Sequence, residues 1–175
     1  MERFKKSFAF FWQPLLLVMM VMGLSSCGVY SFTGASIPPE AKTVSVQYFS
    51  NHALLVEPTL SPIFTDALRD KFTGQTNLAM QERNGDLAME GSIVEYKTTP
   101  VAIQGDQTSA LNRLTITIEV RFTNKYEPEK DFDTKFTQFI DYPSGTDYNA
   151  AKTDLIDQIT EMLADDIFNK AVINW

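Results

Sequence analysis

The sequence predicts an α+β fold of two layers, in which two helices pack on one face of a mostly antiparallel sheet of about four strands. The first observation is a strict alternation of apolar and polar residues over residues 114–123, which is typical of a half-buried strand. The second is that residues 58–72 and 153–172 place apolar side chains at the helical spacing. The third is the order strand, helix, several strands, helix, which suits two helices layered on an antiparallel sheet.

The first strand and the first helix are predicted before residue 75. The alternation over residues 43–48 predicts a strand whose buried side carries Val44, Val46 and Tyr48, and a loop is predicted to begin at Asn51 and His52. The apolar residues of the following helix are Leu60, Ile63, Phe64, Ala67, Leu68 and Phe72. Thr59 or Ser61 is a candidate N-cap before Pro62, and Gly74 is a candidate end.

The middle of the chain is predicted to be mostly strand. Asn84 and Gly85 separate two extended runs, and this dipeptide is the strongest short signal for a β-hairpin. In the second run the apolar side changes near Gly91, and a bulge is therefore predicted there. The apolar residues on either side of the change are Leu87 and Met89, then Val94 and Tyr96.

The strand at residues 114–123 is predicted to have one apolar and one polar side. The apolar side carries Leu114, Ile116, Ile118, Val120 and Phe122, and the polar side carries Thr115, Thr117, Glu119, Arg121 and Thr123. The next strand contributes Phe132, Phe136 and Ile140 at even spacing. Two interpretations of the polar side stay open: an ordinary solvent-exposed surface, or a docking surface for a protein wall or a glycolipid head group. In the second case Arg121, Lys125 and Lys135 are the candidate partners of phosphate.

The last helix is predicted over roughly residues 153–172. Thr153 is its candidate N-cap, and the apolar side consists of Leu155, Ile156, Ile159, Met162, Leu163, Ile167 and Phe168. The carboxylates of Asp154, Asp157, Glu161 and Asp165 form a stripe on the same helix. A stripe of this kind opposite an apolar face is predicted to be a solvated surface, with cation binding or paired acid–base work as the less favoured interpretations.

The single cysteine lies at the end of an apolar run. Basic residues begin the chain, an apolar stretch extends over residues 15–24, and "LSSC" ends at Cys27, which is the layout of an export signal. "LSSC" resembles the lipobox of bacterial lipoproteins, which implies cleavage before Cys27 and a diacylglycerol on its thiol. Gly28 rather than aspartate follows, which resembles the pattern for sorting to the outer membrane. We therefore expect a signal peptide at residues 1–26 and a lipidated tether at residues 27–42.

Composition excludes several functions for the mature part. Removal of residues 1–26, which hold three basic residues and one acidic residue, leaves 149 residues and changes the net charge from −7 to −9. Such an acidic domain is a poor partner for nucleic acid. One cysteine permits no disulfide, and the single histidine, His52, is predicted to be an exposed loop residue rather than a metal ligand. No nucleophile–base pairing or phosphate loop is recognisable, so we expect no enzyme and no metal site.

Five stretches spread over the mature chain resemble the LptE lipoproteins of the Bacteroidetes type. They are "SIPPEAKTVSVQYFSN", "TLSPIFTDALRDKF", "QERNGDLAMEGSIVEY", "TPVAIQGDQTSALNRLTITIEVRF" and "DIFNKAVINW". The resemblance implies an LptE-like α+β domain at residues 43–175 that plugs the LptD β-barrel, helps it assemble, and takes part in inserting lipopolysaccharide into the outer leaflet.

The resemblance also implies where the protein resides and what it binds. The expected location is the outer membrane, on the periplasmic side or within the barrel lumen, and the expected partners are an LptD-like barrel, lipopolysaccharide and the membrane that holds the lipid anchor. No cofactor is expected beyond the covalent diacylglycerol and N-acyl chain, including palmitate, on Cys27. The alternatives are a periplasmic lipid-binding lipoprotein and an accessory subunit of another envelope complex.

Overall fold

The computed structural model describes residues 37–101 and 110–173 of the protein. These residues form six β-strands, two α-helices and one short 3-10 helix at Pro128–Lys130. The strands are β1 (Thr43–Val46), β2 (Ser50–Asn51), β3 (Ala79–Gln81), β4 (Leu87–Val101), β5 (Leu111–Asn124) and β6 (Phe132–Pro143). The helices are α1 (Leu60–Gln75) and α2 (Tyr148–Val172).

All six strands belong to one mixed sheet with the order β3-β1-β4-β5-β6. β2 also pairs with β4, at Ser92 and Ile93, beyond the part of β4 that pairs with β1. The long ladders β4–β5 and β5–β6 are antiparallel, whereas the ladders of β1 with β3 and β4, and of β2 with β4, are parallel and short. The two-layer α+β class is confirmed, but the expected number of about four strands is too low. β2 and β3 have only two and three residues, too few to show a readable alternation.

The predicted hairpin at Asn84 and Gly85 is wrong. β3 and β4 do not pair with each other in the described structure; both pair with β1, which lies between them. The intervening loop instead crosses β1, where the Gly85 amide donates to Ser45 Oγ at 3.1 Å. A Cβ on Gly85 would come within 2.7 Å of the Leu87 carbonyl oxygen, and Asn84 has a φ of 56°. The dipeptide therefore provides a tight crossing rather than a two-residue hairpin turn.

Tyr48 does not lie on the buried side of the first strand as predicted. The chain leaves the regular strand after Val46, although the Gln47 amide still donates to the Met89 carbonyl oxygen at 2.9 Å. This irregularity turns Phe49 into the core, where its amide donates to Thr65 Oγ1 and its ring meets the Phe64 ring edge-on at 5.0 Å. Tyr48 is consequently 56% exposed.

The predicted bulge in β4 exists, but it lies between Ile93 and Glu95 rather than at Gly91. Val94 is the extra residue, and the buried side chains of this strand are Leu87, Met89, Ile93 and Tyr96. Gly91 is required for a different reason. A Cβ there would overlap the Glu119 carbonyl oxygen and lie 2.7 Å from Phe49 Cε1.

Both helices differ from the prediction at their ends. α1 continues one residue past Gly74, and its N-cap residue Thr59 makes no side-chain capping bond. α2 begins five residues before Thr153, because Asp147 caps it by accepting a hydrogen bond from the Asn149 amide. Neither described helix combines the length and the apolar character that crossing a bilayer requires.

The core lies between the helices and one face of the sheet. Phe72 of α1 meets Phe168 of α2 edge-on, with ring centroids 5.0 Å apart, so the two helices pack on each other as well as on the sheet. The predicted apolar side of β5 is fully buried, and Phe132, Phe136 and Ile140 of β6 pack against it. The opposite face of the sheet is not covered by these helices, and this open face holds the polar side predicted for β5.

Candidate interaction surface

The open face includes five cross-strand rows of side chains from β4, β5 and β6. Each row is set by the ladder register, which places one residue of each strand side by side. The rows are Glu90–Arg121–Asp133, Ser92–Glu119–Lys135, Glu95–Thr117–Thr137, Lys97–Thr115–Phe139 and Thr99–Arg113–Asp141. Five acidic and four basic side chains therefore alternate over one nearly neutral surface.

Arg121 lies between two carboxylates in the first row. Its Nη1 donates to Glu90 Oε1 at 3.3 Å, and its Nε and Nη2 donate to Asp133 Oδ2 at 3.2 and 3.1 Å. The hydrogen bond with Asp133 is the main reason that the pKa of Arg121 is raised. The Arg121 side chain is nevertheless 59% exposed, so it is both paired and accessible.

A groove of about 420 Å³ runs beside this row. Tyr48 and Gln47 form one wall, and the charged residues of the lining are Glu90, Glu119, Arg121 and Asp133. Three carboxylates surround one guanidinium, so the groove as a whole is acidic. It favours polar or cationic groups over a phosphate.

The middle row is a hydrogen-bonded chain. Thr117 Oγ1 lies 3.0 Å from Glu95 Oε2 and 2.9 Å from Thr137 Oγ1, while Lys97 Nζ pairs with Glu95 Oε1 at 2.6 Å. The bond from Lys97 is the largest cause that lowers the pKa of Glu95. Thr115 and Thr117 are only 8% and 7% exposed, because long side chains on the flanking strands cover them.

The row at the far end of the open face combines an ion pair with an aromatic ring. The Nε and Nη2 atoms of Arg113 donate to the two carboxylate oxygens of Asp141 at 2.7 and 2.8 Å. This bidentate pair lowers the pKa of Asp141 and raises that of Arg113. The guanidinium carbon also lies 3.8 Å from the centre of the Phe139 ring, which is partly exposed.

The structure separates the three basic residues singled out from the sequence. Arg121 and Lys135 lie on the open face in adjacent rows, and Lys135 is exposed beside Glu119. Lys125 lies just beyond the end of β5, where its Nζ is 3.4 Å from Asp86 Oδ1 and 5.4 Å from the centre of the Tyr126 ring. The three cations therefore do not form one anion-binding cluster.

Asp86 organises this lower end of the sheet. Its Oδ2 accepts hydrogen bonds from the amides of Lys42 and Thr43 at 3.0 and 3.2 Å and from Thr43 Oγ1 at 2.9 Å. These donors, the Lys42 amide first, lower the pKa of Asp86 to about 2. Lys125 is thus one of several groups that hold Asp86 and the start of β1 together.

The remaining sequence predictions have mixed outcomes. His52 is exposed in a loop, as predicted. In the acidic stripe of α2, Asp154, Asp157 and Glu161 are exposed, as predicted, and Asp165 pairs with Lys71 of α1. Within residues 37–101 and 110–173, no group of three or more His, Cys, Asp or Glu side chains could hold a metal. Cys27 and the loop at residues 102–109 lie outside the described residues.

Sequence reasoning missed the partners of the basic residues. Glu90, Glu95, Arg113, Asp133 and Asp141 all belong to the rows of the open face. For β5 and β6 the signal was present, because the alternation that places Arg121 and Lys135 on one side also places Arg113, Asp133 and Asp141 there. For β4 it was not, because the bulge at Val94 shifts the alternation midway.

The fold and this surface define a two-layer α+β domain whose polar groups are distributed over an open sheet face. Residues 41–171 match the family model LptE, described as lipopolysaccharide-assembly, and the chain belongs to this family. The recognition made from the sequence is thereby confirmed, and the protein is a member of a lipopolysaccharide-assembly lipoprotein family. A search of curated proteins gives no significant match.

Three solved structures are among those similar to this chain. A minor lipoprotein from Acinetobacter baumannii has 17% identity, a TM-score of 0.46, and coverage of 74% of this chain and 91% of its own. A protein from Xanthomonas campestris has 11% identity, a TM-score of 0.47, and coverage of 77% and 88%. A hypothetical protein from Chlamydia trachomatis has 12% identity, a TM-score of 0.46, and coverage of 77% and 100%.

Proposed function

We propose that this protein is an outer-membrane lipoprotein, anchored through Cys27, that occupies the lumen of an LptD-like β-barrel, helps the barrel assemble and serves the insertion of lipopolysaccharide into the outer leaflet. Membership of the LptE family over residues 41–171 is the observation that carries the proposal. The domain boundaries expected from the sequence, with a signal peptide at 1–26, a tether at 27–42 and the folded domain at 43–175, belong to the same proposal.

The chemistry of the open face supports a plug. The lumen side of a transmembrane barrel is polar, so a protein that fills it needs a surface able to exchange hydrogen bonds without a large net charge. The five rows meet that need, because their acidic and basic groups nearly balance and many stay exposed while paired. Arg121, for example, keeps 59% exposure although two carboxylates bind it.

Contact with lipopolysaccharide would be local. The net charge of −9 repels phosphates on average, and a phosphate at Arg121 must compete with Glu90 and Asp133 for the guanidinium. Lys135 faces a single carboxylate, that of Glu119, in its row. We therefore keep Arg121, Lys125 and Lys135 as candidate contacts and place Lys135 first among them.

The alternative of a lipid carrier without a barrel partner receives less support. Such a carrier needs an apolar cavity for acyl chains. The groove of the open face is lined mainly by polar side chains. A second groove of about 680 Å³ between the helices has Ile63, Ala67 and Ala164 in its lining, and its charged residues are Asp66, Asp70, Lys71, Glu161 and Asp165. Charged side chains line both grooves, which does not favour an acyl chain. A subunit of another envelope complex remains the competing function that a partner assay decides.

The test is co-purification of the full lipidated chain from outer membranes. We expect an LptD-like barrel in the complex; a complex with a different partner, or free lipid without a barrel, would contradict the proposal. The variant R121Q/K135Q should retain the barrel and bind lipopolysaccharide more weakly. Arg83→Gln, which changes an exposed cation in the loop between β3 and β4, is the matched control and should bind as the parent does.

Anchoring is tested separately with Cys27→Ser. This variant lacks the thiol that would carry the diacylglycerol, so it should stay uncleaved and unlabelled by a palmitate analogue. Labelling equal to that of the parent would refute lipidation at Cys27 while leaving the barrel proposal to the co-purification result.

A further inference from the structure

The chain between β1 and β2 holds an extra residue beside the groove of the open face. β1 last pairs with β4 at Met89 and β2 pairs with it from Ser92, so residues 47–49 lie opposite only two residues of β4. An extra residue of this kind bends a strand and redirects its side chains. Here it turns Phe49 into the core and leaves Tyr48 exposed as a wall of the groove.

The Tyr48 ring is available to a ligand. Within residues 37–101 and 110–173, this ring takes part in no aromatic pair and its hydroxyl makes no hydrogen bond. The flat face of an aromatic ring carries partial negative charge and attracts polarised C–H groups. An exposed tyrosine in the wall of a polar groove is therefore suited to stack on a ring whose own faces carry C–H bonds.

A continuous strip of hydrogen-bonded polar side chains runs along the groove. Gln47 Nε2 donates to Glu90 Oε2 at 3.3 Å, and Glu90 Oε1 accepts from Arg121 Nη1 at 3.3 Å. Arg121 in turn donates to Asp133 Oδ2 through its Nε and Nη2 atoms. We call these four side chains the polar strip. Donors and acceptors alternate along it.

The polar strip keeps unused capacity for a ligand. A carboxylate oxygen accepts more than one hydrogen bond, and Asp133 uses only Oδ2 toward Arg121. The exposed amide of Gln47 has a second N–H and a carbonyl oxygen beyond its bond to Glu90. Because the bonds within the strip already hold these side chains in place, the cost of ordering them on binding is reduced.

The charges of the groove disfavour several classes of ligand. Glu90, Glu119 and Asp133 outnumber Arg121, so a phosphate or a carboxylate is repelled. A cationic side chain of a peptide meets Arg121 at the centre of the polar strip. An acyl chain meets a mainly polar lining. These properties favour a ligand that is polar and neutral.

A neutral pyranose ring matches each of these features. Its C–H groups form an apolar face that stacks on an aromatic ring such as Tyr48. Its hydroxyl groups both donate and accept hydrogen bonds, as an alternating strip of donors and acceptors requires. The groove volume of about 420 Å³ lies within the range of small-ligand sites.

We propose that the groove binds a neutral sugar unit of the saccharide chain of lipopolysaccharide, with Tyr48 stacked on the ring and the polar strip bonded to its hydroxyls. This inference rests on the proposed function, because it takes lipopolysaccharide as the source of the saccharide. It assigns Arg121 to sugar hydroxyls and leaves Lys135, which faces one carboxylate in its row, to phosphate. The open face then contacts two chemically different parts of the same ligand.

The first experiment measures saccharide binding by the full lipidated chain in a detergent that has no sugar head group. The probe is the neutral fraction of the saccharide that mild acid releases from lipopolysaccharide of the same cells, after removal of its phosphates. Isothermal titration calorimetry should show saturable binding. Pentalysine, the probe for a basic peptide segment, should not compete with it. Binding of pentalysine in place of the saccharide overturns the proposal.

The second experiment changes the stacking ring. Tyr48→Ala should raise the dissociation constant of the saccharide at least about tenfold, whereas Tyr48→Phe keeps the ring and should stay within about threefold of the parent. Tyr126→Ala, which removes an exposed ring outside the groove, is the matched control and should bind as the parent does. Tyr48 is exposed, so the urea midpoint of Tyr48→Ala should match the parent. Equal affinity of Tyr48→Ala and the parent overturns the proposal.

The third experiment changes the polar strip. The variant Q47A/D133A removes both of its ends and should also raise the dissociation constant of the saccharide about tenfold. Lys135→Ala is the matched control, because Lys135 lies on the same face but outside the lining of the groove. It should leave saccharide affinity unchanged. A loss of affinity in Lys135→Ala but not in Q47A/D133A overturns the assignment of the polar strip.

The outcomes separate this inference from the proposed function. The calorimetry needs no barrel, so saccharide binding by a chain that fails to co-purify with a barrel supports the groove and contradicts the plug. Co-purification with a barrel by a chain that binds no saccharide overturns only the groove. Glycan strands released from peptidoglycan are the second saccharide probe, and a preference for them overturns lipopolysaccharide as the source.

Discussion

The two faces of β5 are built from the same fourteen residues and are stabilised in different ways. On the covered face, Leu114, Ile116 and Ile118 are inaccessible to solvent beneath the helices. On the open face, Thr115 and Thr117 are almost as buried, although no helix covers them, because side chains of β4 and β6 close over them. Burial therefore has two sources here: apolar packing between layers, and hydrogen-bonded rows within a single layer.

The largest effect is expected on the covered face. Ile118→Ala shortens a fully buried side chain and leaves a cavity that the packed helices cannot fill. The free energy of unfolding should therefore fall by about 3 to 4 kcal/mol. Urea denaturation followed by circular dichroism measures this. Thr123→Ala, an exposed open-face position on the same strand, is the control and should change stability by less than about 0.5 kcal/mol. Equal losses for both variants would remove the distinction between the faces.

A steric change at Gly91 is expected to rank second. Gly91→Ala drives a methyl group into the Glu119 carbonyl oxygen and the Phe49 ring, and the strained packing should cost about 2 kcal/mol. Gly74→Ala is the matched control, because a Cβ in that exposed turn of α1 meets nothing within 4 Å and should stabilise by up to about 1 kcal/mol. Thermal unfolding of both variants should shift in opposite directions; a shift in the same direction would contradict the packing argument.

The hydrogen-bonded row is expected to contribute less. Thr117→Val keeps the shape of the side chain but removes the hydroxyl that links Glu95 to Thr137, and about 1 kcal/mol should be lost. Denaturant midpoints of this variant, of Thr137→Val and of the double variant form a thermodynamic cycle. Strict additivity of the two losses would show that the hydroxyls do not act together.

The last effect is a pH dependence, and it concerns the end of the sheet held by Asp86. Its folded pKa of about 2 lies below the value of about 3.9 for an unfolded aspartate, so its ionised form favours the folded state. That stability is complete above pH 4 and is lost as the pH falls from about 4 toward 2. Denaturant midpoints across this range should fall less steeply in Asp86→Asn than in the parent. Parallel slopes would show that Asp86 is not the linked group.

Local sequence patterns predicted which residues face the core, but they did not predict the order and pairing of the strands. Residues 114–122 and the two helical stripes identified the covered face of β5 and most of the core, because each pattern depends on neighbours in the same element. The hairpin predicted at Asn84 and Gly85 is wrong because the dipeptide permits a tight turn but does not decide whether the next strand reverses beside the previous one or crosses to the other side of β1. The burial predicted for Tyr48 is wrong for a related reason. The regular strand ends at Val46 because Phe49 packs into the core against Phe64, and this contact leaves no local pattern in the sequence.

The sequence by itself determined that this protein has two helices on one face of a sheet, a polar opposite face on β5, and a cysteine in a lipoprotein-like context. Those properties follow from periodicity and from a short local motif. Only the tertiary structure decided that Arg121 is paired with Glu90 and Asp133, that Lys125 lies apart from Lys135, and that Lys152 of α2 binds Glu57 in the loop before α1. These depend on strand register and on contacts such as Glu57 with Lys152, which join residues far apart in the chain and therefore leave no local pattern.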